Sequence, residues 1–399
     1  MKKIKEITIV TKLTNWLFSR GEKPYRGMDC QSKADMEELL PCDKVEVDAE
    51  VIGRMLESKV ILVTGAAGSI GSELVRQMAA FKPQRLVLID QAEMAMQDIR
   101  LYMKKHYPHT DCEPIVTSIT NAERMEYIFR TYKPDCVFHA AAYGQVATVE
   151  DNPSEAVQNN IHGTRMVADM AVKYRTKKFV MISTDKAVNP ASVMGCSKRI
   201  CEIYCQALNK AIMDGEVEGI TQFVTTRFGN ALGSNGSVVS LFRQQIAMGG
   251  PVTVTHPDII RFFMLIPEVC KLVLEAGAIG KGGATFVFDM GRPVRIADLA
   301  KRMIALSGAH GVDIEYVGLR NGEKLYEEVL NDAEEAEPTA HPKIRMAKVR
   351  EYPYELVRRN EEELLKLSFS FDDMAVVKKM KEMVPEYKSR QSRYEVLDN

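Results

Sequence analysis

The sequence predicts an α/β protein, a doubly wound parallel sheet followed by a smaller C-terminal α/β lobe. Two observations carry this. Strand-length apolar runs alternate with helix-length runs from Lys59 to Arg227, and strands separated by helical crossovers imply a parallel sheet covered on both faces. After Arg227 the elements become shorter and less regular, as a second, smaller unit would.

Residues 1–58 read as an N-terminal extension. Ile4, Ile7, Val10, Leu13 and Leu17 stand at helical spacing beside Lys2, Lys3, Lys5, Lys12 and Arg20. Such a basic amphipathic helix suits docking on protein, or peripheral contact with an anionic membrane surface. Ser19–Cys42 is polar and turn-rich, and Asp48–Leu56 reads as a helix. The sheet domain, 59–228, reads as strands at Lys59–Thr64, Arg85–Ile89, Glu113–Thr117, Asp135–His139, Lys178–Ser183 and Thr221–Arg227. Helices fall between them at Ser69–Ala80, Ala92–His106, Ala122–Thr131, Ser154–Tyr174 and Met194–Met213. The smaller lobe, 229–335, has short elements at Val252–Thr255, Arg261–Leu265, Pro267–Ala278, Thr285–Asp289 and Ile296–Ser307. Residues 336–399 read as a helical C-terminal tail, in which Glu361-Glu362-Glu363 suits a solvated face.

Of 399 residues, 46% are hydrophobic and 27% charged, with a net charge of -1, a composition that allows a sizeable core in a soluble protein. The balance gives no case for nucleic acid, for which a basic excess is expected. No run approaches the roughly 18 apolar residues that span a bilayer, and Lys5, Glu6 and Lys12 interrupt any signal-peptide core. Cysteines at 30, 42, 112, 136, 196, 201, 205 and 270 form no compact framework, which fits reduced thiols in the cytoplasm. Cys201 and Cys205 are one helical turn apart without a second ligand pair, so a buried helix face is expected there and no metal.

Val63-Thr64-Gly65-Ala66-Ala67-Gly68-Ser69-Ile70-Gly71 follows the first strand and opens its helix. This is a Rossmann-type dinucleotide fingerprint. Gly65 permits the tight turn, Gly68 lets backbone approach a pyrophosphate, and Gly71 lets helix and strand pack closely. The pyrophosphate would sit at the helix N-terminus, by Ser69 and Ile70, where free N–H groups and the dipole favour an anion. Asp90 ends the second strand 25 residues after Gly65. A carboxylate there accepts from both ribose hydroxyls and repels a 2′-phosphate, which favours NAD over NADP. Ala140, Ala141 and Ala142 end the fourth strand, where small side chains let backbone approach the cofactor.

The fifth strand feeds Ser183-Thr184-Asp185-Lys186, and Met194-Gly195-Cys196-Ser197-Lys198 opens the next helix. A hydroxyl, a carboxylic acid and two amines therefore meet at the C-terminal edge of a parallel sheet, where ligands bind in open α/β folds.

Together these residues resemble the UDP-N-acetylglucosamine 4,6-dehydratases of the polysaccharide-biosynthesis branch of extended short-chain dehydrogenases. The similarity is carried by 64–74, by His139-Ala140-Ala141-Ala142-Tyr143 and by Ser183–Pro190. It continues through Arg227-Phe228-Gly229-Asn230, Gly233–Val238, Val254-Thr255-His256-Pro257-Asp258 and Gly322-Glu323-Lys324-Leu325, to Val384-Pro385-Glu386-Tyr387. The resemblance implies oxidation at C4, loss of water across C5 and C6 and return of hydride to C6, in the making of surface glycans. It implies Lys186 as the C5 base, Asp185 as the C6 acid, and Thr184 as hydrogen-bond partner of the C4 oxygen. An amine base must be substantially neutral and the acid must hold its proton, which burial and neighbouring charge are expected to achieve.

Lys198 would lie on the nicotinamide ribose, one turn from Met194, which replaces the tyrosine that ordinary dehydrogenases and 4-epimerases use. Ser118 and Ile119 would lie near the adenine, with Ser118 where the family usually has an aspartate. Gly144 follows Tyr143 where a lysine is usual. Tyr143, Asn230, Gly236, Ser237 and Val238 would meet the UDP-N-acetylhexosamine. Arg261 and Arg320 are candidate pyrophosphate clamps, and Glu323 would order Arg320 or bind ribose; an internal salt bridge is the alternative for each. The resemblance also implies a homo-oligomer paired through Ser154–Tyr174 and Met194–Met213, in a free-standing form of relatives that carry a membrane domain. A UDP-hexosamine epimerase and a catalytically silent NAD- and sugar-nucleotide-binding subunit are the competing readings.

Overall fold

The computed structural model describes Leu39 and residues 44–234, 236–330 and 334–398; the basic segment at 1–20 and, apart from Leu39, the turn-rich arm lie outside the described residues. Helix α1 (Ala49–Leu56) starts on Asp48, whose carboxylate accepts the N–H groups of Glu50 and Val51. The alternation then runs β1 (Val60–Thr64), α2 (Ser69–Ala79), β2 (Arg85–Asp90), α3 (Glu93–His106), β3 (Cys112–Val116), α4 (Ala122–Tyr132) and β4 (Cys136–His139). After a short helix at Val146–Glu150, the expected long helix is present with an interruption. Pro153–Glu155 starts it, Ala156–His162 widens into a π-helical stretch, and α5 (Gly163–Lys173) resumes the α-helical pitch. Then come β5 (Lys178–Ile182), α6 (Val193–Met213) and β6 (Gln222–Arg227).

The second part holds α7 (Val238–Ala247), α8 (Ile266–Ile279), β7 (Ala284–Phe288), α9 (Ile296–Ser307), β8 (Ala336–Pro338), β9 (Ile344–Ala347), α10 (Tyr354–Ser368) and α11 (Asp373–Met383). Among the described residues nine strands form one sheet in the order β8-β9-β7-β6-β5-β4-β1-β2-β3. β1 to β7 are parallel, and β9 and β8 close one edge antiparallel. The chain leaves β3 at one edge and restarts at β4 beside β1, so the strand order reverses between β1 and β4. Such a reversal opens a crevice at the strand ends.

Two boundaries differ from expectation. The strand near Thr285–Asp289 belongs to the main sheet, with Ala284 to Val287 in register with Val224 to Arg227. Helix α8 also covers that sheet, burying Val269, Leu272 and Val273 with Leu74 and Val75 of α2. The small lobe keeps its own core of Leu232, Phe242, Val254, Phe263, Ile296 and Leu299. Nor is 336–399 a tail. Its strands finish the sheet, and α10 and α11 pack on α6, burying Val357, Leu364, Val376 and Met380. Each such side chain taken out of water contributes about 1.5–3 kcal/mol.

Glu361 departs from the solvated face expected of the acidic run. Helical period places it in line with Val357 and Leu364, and it is 3% exposed. The same packing covers the helices expected to pair with a second subunit: 17 of the 21 residues of α6 are buried within the chain itself.

Candidate active site

The cofactor cradle is set by backbone. Gly65 holds φ at 65°, and a Cβ there would stand 2.6 Å from Ala141 N. Only glycine meets both conditions. At Gly71 a Cβ would come 2.0 Å from Gly65 O, so α2 lies directly on the turn. No side chain caps α2 and no acidic residue stands in its first turn, leaving its N–H groups to a bound anion. Asp90 is fixed at the rim: Oδ2 accepts Ala67 N and Oδ1 accepts Ala92 N, both at 3.0 Å. Ala140 and Ala141 reach Thr64 through their amides. Ser118 binds Thr120 by hydroxyl and amide, and Ile119 is buried against Gly163. A glycine cradle, a bare helix N-terminus and a rim carboxylate fit a dinucleotide.

The chemistry-bearing turn follows β5. The amide of Asp185 donates to Phe228 O at 3.0 Å, tying the turn to the end of β6. Thr184 Oγ1 donates to Asp185 Oδ1 at 3.0 Å, and Lys186 Nζ donates to the same oxygen at 2.9 Å. Lys186 also donates to Asn230 Oδ1 at 3.2 Å. The Asp185 side chain is wholly buried and its Oδ2 has no partner.

Burial disfavours the Lys186 ammonium, but the carboxylates of Asp185 and Glu327 more than offset it and raise its pKa. The expectation of a substantially neutral Lys186 is thereby corrected: in this state two carboxylates hold it as a cation. Lys198 is 6% exposed, and burial lowers its pKa despite the opposing pull of Cys201 and Glu202. Met194 is 3% exposed in the first turn of α6 and brings no hydroxyl to the site.

Beneath the turn lies a buried ion network. Ser183 donates to Glu202 at 2.6 Å, Arg227 donates to both Glu202 oxygens at 2.8 and 2.7 Å, and Arg227 also reaches Glu334 at 2.7 Å. Burial pushes Glu202 upward, yet Arg227 and Arg199 win and hold its pKa at about 2. Two strands, α6 and the returning chain are thus locked together below the reactive side chains.

Between this edge and the small lobe lies a cavity of about 470 Å³, lined by Lys186, Asn230, Gly236, Ser237, Val238, Arg261, Arg320 and Glu323. Ser237 caps α7 by accepting Ser240 N, which points that helix N-terminus at the cavity. Glu323 accepts the backbone N–H of Arg320 at 3.0 Å. Arg261 is different. Its guanidinium donates to the carbonyls of Ile260, Leu325 and Lys324, so it braces the loop, while the exposed Arg320 side chain remains available to phosphate.

Tyr143 also departs from its expected place. Asn160, in the π-helical stretch, accepts Tyr143 N at 2.7 Å and donates to Tyr143 O at 3.0 Å. So clamped, the tyrosine sends its hydroxyl to Gln91 beside Asp90, on the cofactor side. Asn160 was missed, although two adjacent asparagines inside a helical run are a signal of local irregularity. Glu327 was missed as well. Its side chain is 4% exposed, 3.8 Å from Lys186 Nζ and 3.6 Å from Arg261 Nε.

With this geometry in view, a family model described as polysaccharide biosynthesis protein matches residues 61–349. The chain belongs to that family. Capsular polysaccharide biosynthesis protein CapD of Staphylococcus aureus is 49% identical over 80% of this chain and 53% of its own length, so the chain spans about half of that curated relative. A protein of Rickettsia canadensis named UDP-glucose 4-epimerase is 34% identical over 71% of this chain and 80% of its own. Among solved structures, Pen from Bacillus thuringiensis matches 79% of this chain and 99% of its own with a TM-score of 0.68 and 28% identity. The family match spans β1 to β9, including β7, which was expected in the smaller lobe. Among the described residues no helix is long and apolar enough to cross a membrane.

Proposed function

We propose that the protein is an NAD-dependent UDP-N-acetylglucosamine 4,6-dehydratase that forms a 4-keto-6-deoxy hexosamine nucleotide for surface polysaccharide. The observation that carries this is the hydrogen-bonded Thr184–Asp185–Lys186 turn after β5, in which an acid and an amine stand 2.9 Å apart and Lys186 lines the cavity. Asp90 at the rim supports NAD over NADP. The chemistry that NAD supplies when bound is reversible hydride transfer, out of C4 and later into C6.

The chain's own groups account for the protons. Thr184 takes the C4 hydroxyl proton as it passes its own along the 3.0 Å bond to Asp185, which leaves Asp185 as a carboxylic acid. The new C4 ketone acidifies C5. Once its ammonium has given up a proton to solvent, Lys186 as the free amine removes the C5 proton, while Asp185 protonates the C6 hydroxyl and water departs. The Lys186 ammonium then returns a proton to C5, and Asp185 is again a carboxylate. Buried Asp185 and half-buried Lys186 exchange charge inside a poorly solvated site, where such steps are strongly coupled.

The test is to incubate the full chain with UDP-N-acetylglucosamine in deuterated water and follow the sugar by NMR. A new methyl signal with loss of the C6 oxygen is expected, and Lys186→Ala should abolish it while bound cofactor is kept. A 4-epimerase reading has a named relative behind it, but Met194 offers no hydroxyl at the usual position. An epimerised ring with its C6 oxygen retained would decide for that reading. Nucleotide binding without turnover would decide for a silent subunit.

A further inference from the structure

The smaller lobe reaches into the acid–base pair through one side chain. Glu327 lies on the loop that also carries Arg320 and Glu323. Its Oε1 stands 3.8 Å from Lys186 Nζ and 3.6 Å from Arg261 Nε. Its Oε2 is buried without a hydrogen-bond partner. A buried carboxylate oxygen left without a donor costs free energy, so something other than its own stability holds this group there. Among the described residues, the one hydrogen bond from Lys186 to the small lobe goes to the neutral Asn230. Glu327 is therefore the small lobe's charged hold on Lys186.

We propose that Glu327 is a positioning residue for Lys186: from the loop lining the cavity, its carboxylate holds the ammonium and sets how readily Lys186 gives up its proton. The inference deepens the dehydratase reading and rests on it for its catalytic meaning. The charged groups around Lys186 are Asp185 on its own turn, Glu327 on the loop and Arg261 on the neighbouring strand, itself paired to Glu323. Further along the same loop, Lys324 donates to Val188 O and pairs with Glu328. Asp185 alone forms a hydrogen-bonded pair from which a proton can pass. A second carboxylate makes the ammonium harder to discharge, and it stands on the segment that a nucleotide sugar must touch. A displacement of that loop on binding would release the charge on Lys186 when substrate arrives.

Two measurements on the full chain test this. The first is the rate of Lys186 modification by acetic anhydride near pH 8.5, read by mass spectrometry against exposed lysines. Only the free amine reacts, and removing an opposite charge at this range lowers an amine pKa by about one unit or more. Glu327→Gln should therefore label Lys186 about tenfold faster, while Glu327→Asp, which keeps the charge, stays near the native rate. The second is the pH profile of turnover, whose ascending limb should move about one unit lower in Glu327→Gln. Equal labelling of native and Glu327→Gln protein, or equal acceleration in both variants, overturns the proposal. Failure of the native protein to dehydrate UDP-N-acetylglucosamine overturns the dehydratase reading instead, and the labelling result still decides the role of Glu327.

Discussion

Gly195 stands in the first turn of α6 with no room for a side chain. A Cβ there would lie 2.2 Å from Lys186 O and 3.1 Å from its carbonyl carbon. Helix propensity favours Ala over Gly by about 1 kcal/mol, but the overlap is with backbone, which cannot rotate away, and overpacking costs about 1–3 kcal/mol. The overlap wins. Gly195→Ala should lower the melting temperature by several degrees and cut turnover by about 100-fold, since a shift near 1 Å in a reacting group has that effect. Calorimetry and the NMR assay check both; a more stable, fully active variant would refute the close approach.

What was legible at this scale follows from where the constraint lies. Gly65, Gly71 and Asp90 are local backbone requirements at fixed spacing: the glycines form the turn after β1, and Asp90 accepts Ala67 N beside it. Glu327 and Asn160 meet partners 141 and 37 residues away, counted to Lys186 and Ser197, and no local pattern announces such a meeting. The charge on Lys186 was misjudged for the same reason, because the second carboxylate was not in view.

Among the elements, α10 shows how a period overrides composition. Three consecutive glutamates suggested a wet face, yet Glu361 shares the buried stripe of Val357 and Leu364 while Glu362 pairs with Arg165 at 2.9 Å. Burial, reinforced by Asp169 and opposed by Arg165, raises the Glu361 pKa well above the ordinary carboxylate value, and neither of its oxygens is hydrogen-bonded. A folded-state pKa above the unfolded 4.5 means that its stabilising protonated form is complete below about pH 4.5 and lost as pH rises through the folded value. At neutral pH the group is thus a liability. Glu361→Met keeps the volume and the helix propensity, and should raise unfolding free energy at pH 8 by about 1–3 kcal/mol. The gain should shrink toward pH 4.5, as denaturant unfolding at several pH values will reveal. A variant no more stable than the parent at pH 8 would mean that the carboxyl has a compensating partner.

Across the whole molecule the C-terminal segment acts as a brace for the site. Lys388 N and Arg390 N donate to Pro190 O and Ala191 O, in the stretch joining the Asp185–Lys186 turn to α6, and Arg390 O accepts Gly322 N from the small-lobe loop. Ser392 donates to Glu150, whose other oxygen accepts Val193 N at the start of α6. Lys388, Arg390 and Ser392 thereby hold the turn before α6 and the loop carrying Arg320 and Glu327 in one arrangement. These hydrogen bonds lead to the turn before α6 and to the small-lobe loop, on the cavity side of the molecule. Cofactor binding and turnover should therefore separate. A chain ended after Met383 loses the buried Tyr387 and Tyr394 and becomes less stable, by about 3–5 kcal/mol for each large aromatic removed. The milder Ser392→Ala leaves one Glu150 oxygen unpaired, at a cost of about 1–3 kcal/mol. The truncated chain is expected to lose turnover by at least 100-fold, and Ser392→Ala by a smaller factor. Both should keep a nucleotide content near that of the parent, read from absorbance at 260 against 280 nm after gel filtration. Parent-level turnover in the truncated chain would show that the two sides of the cavity hold their places without this brace.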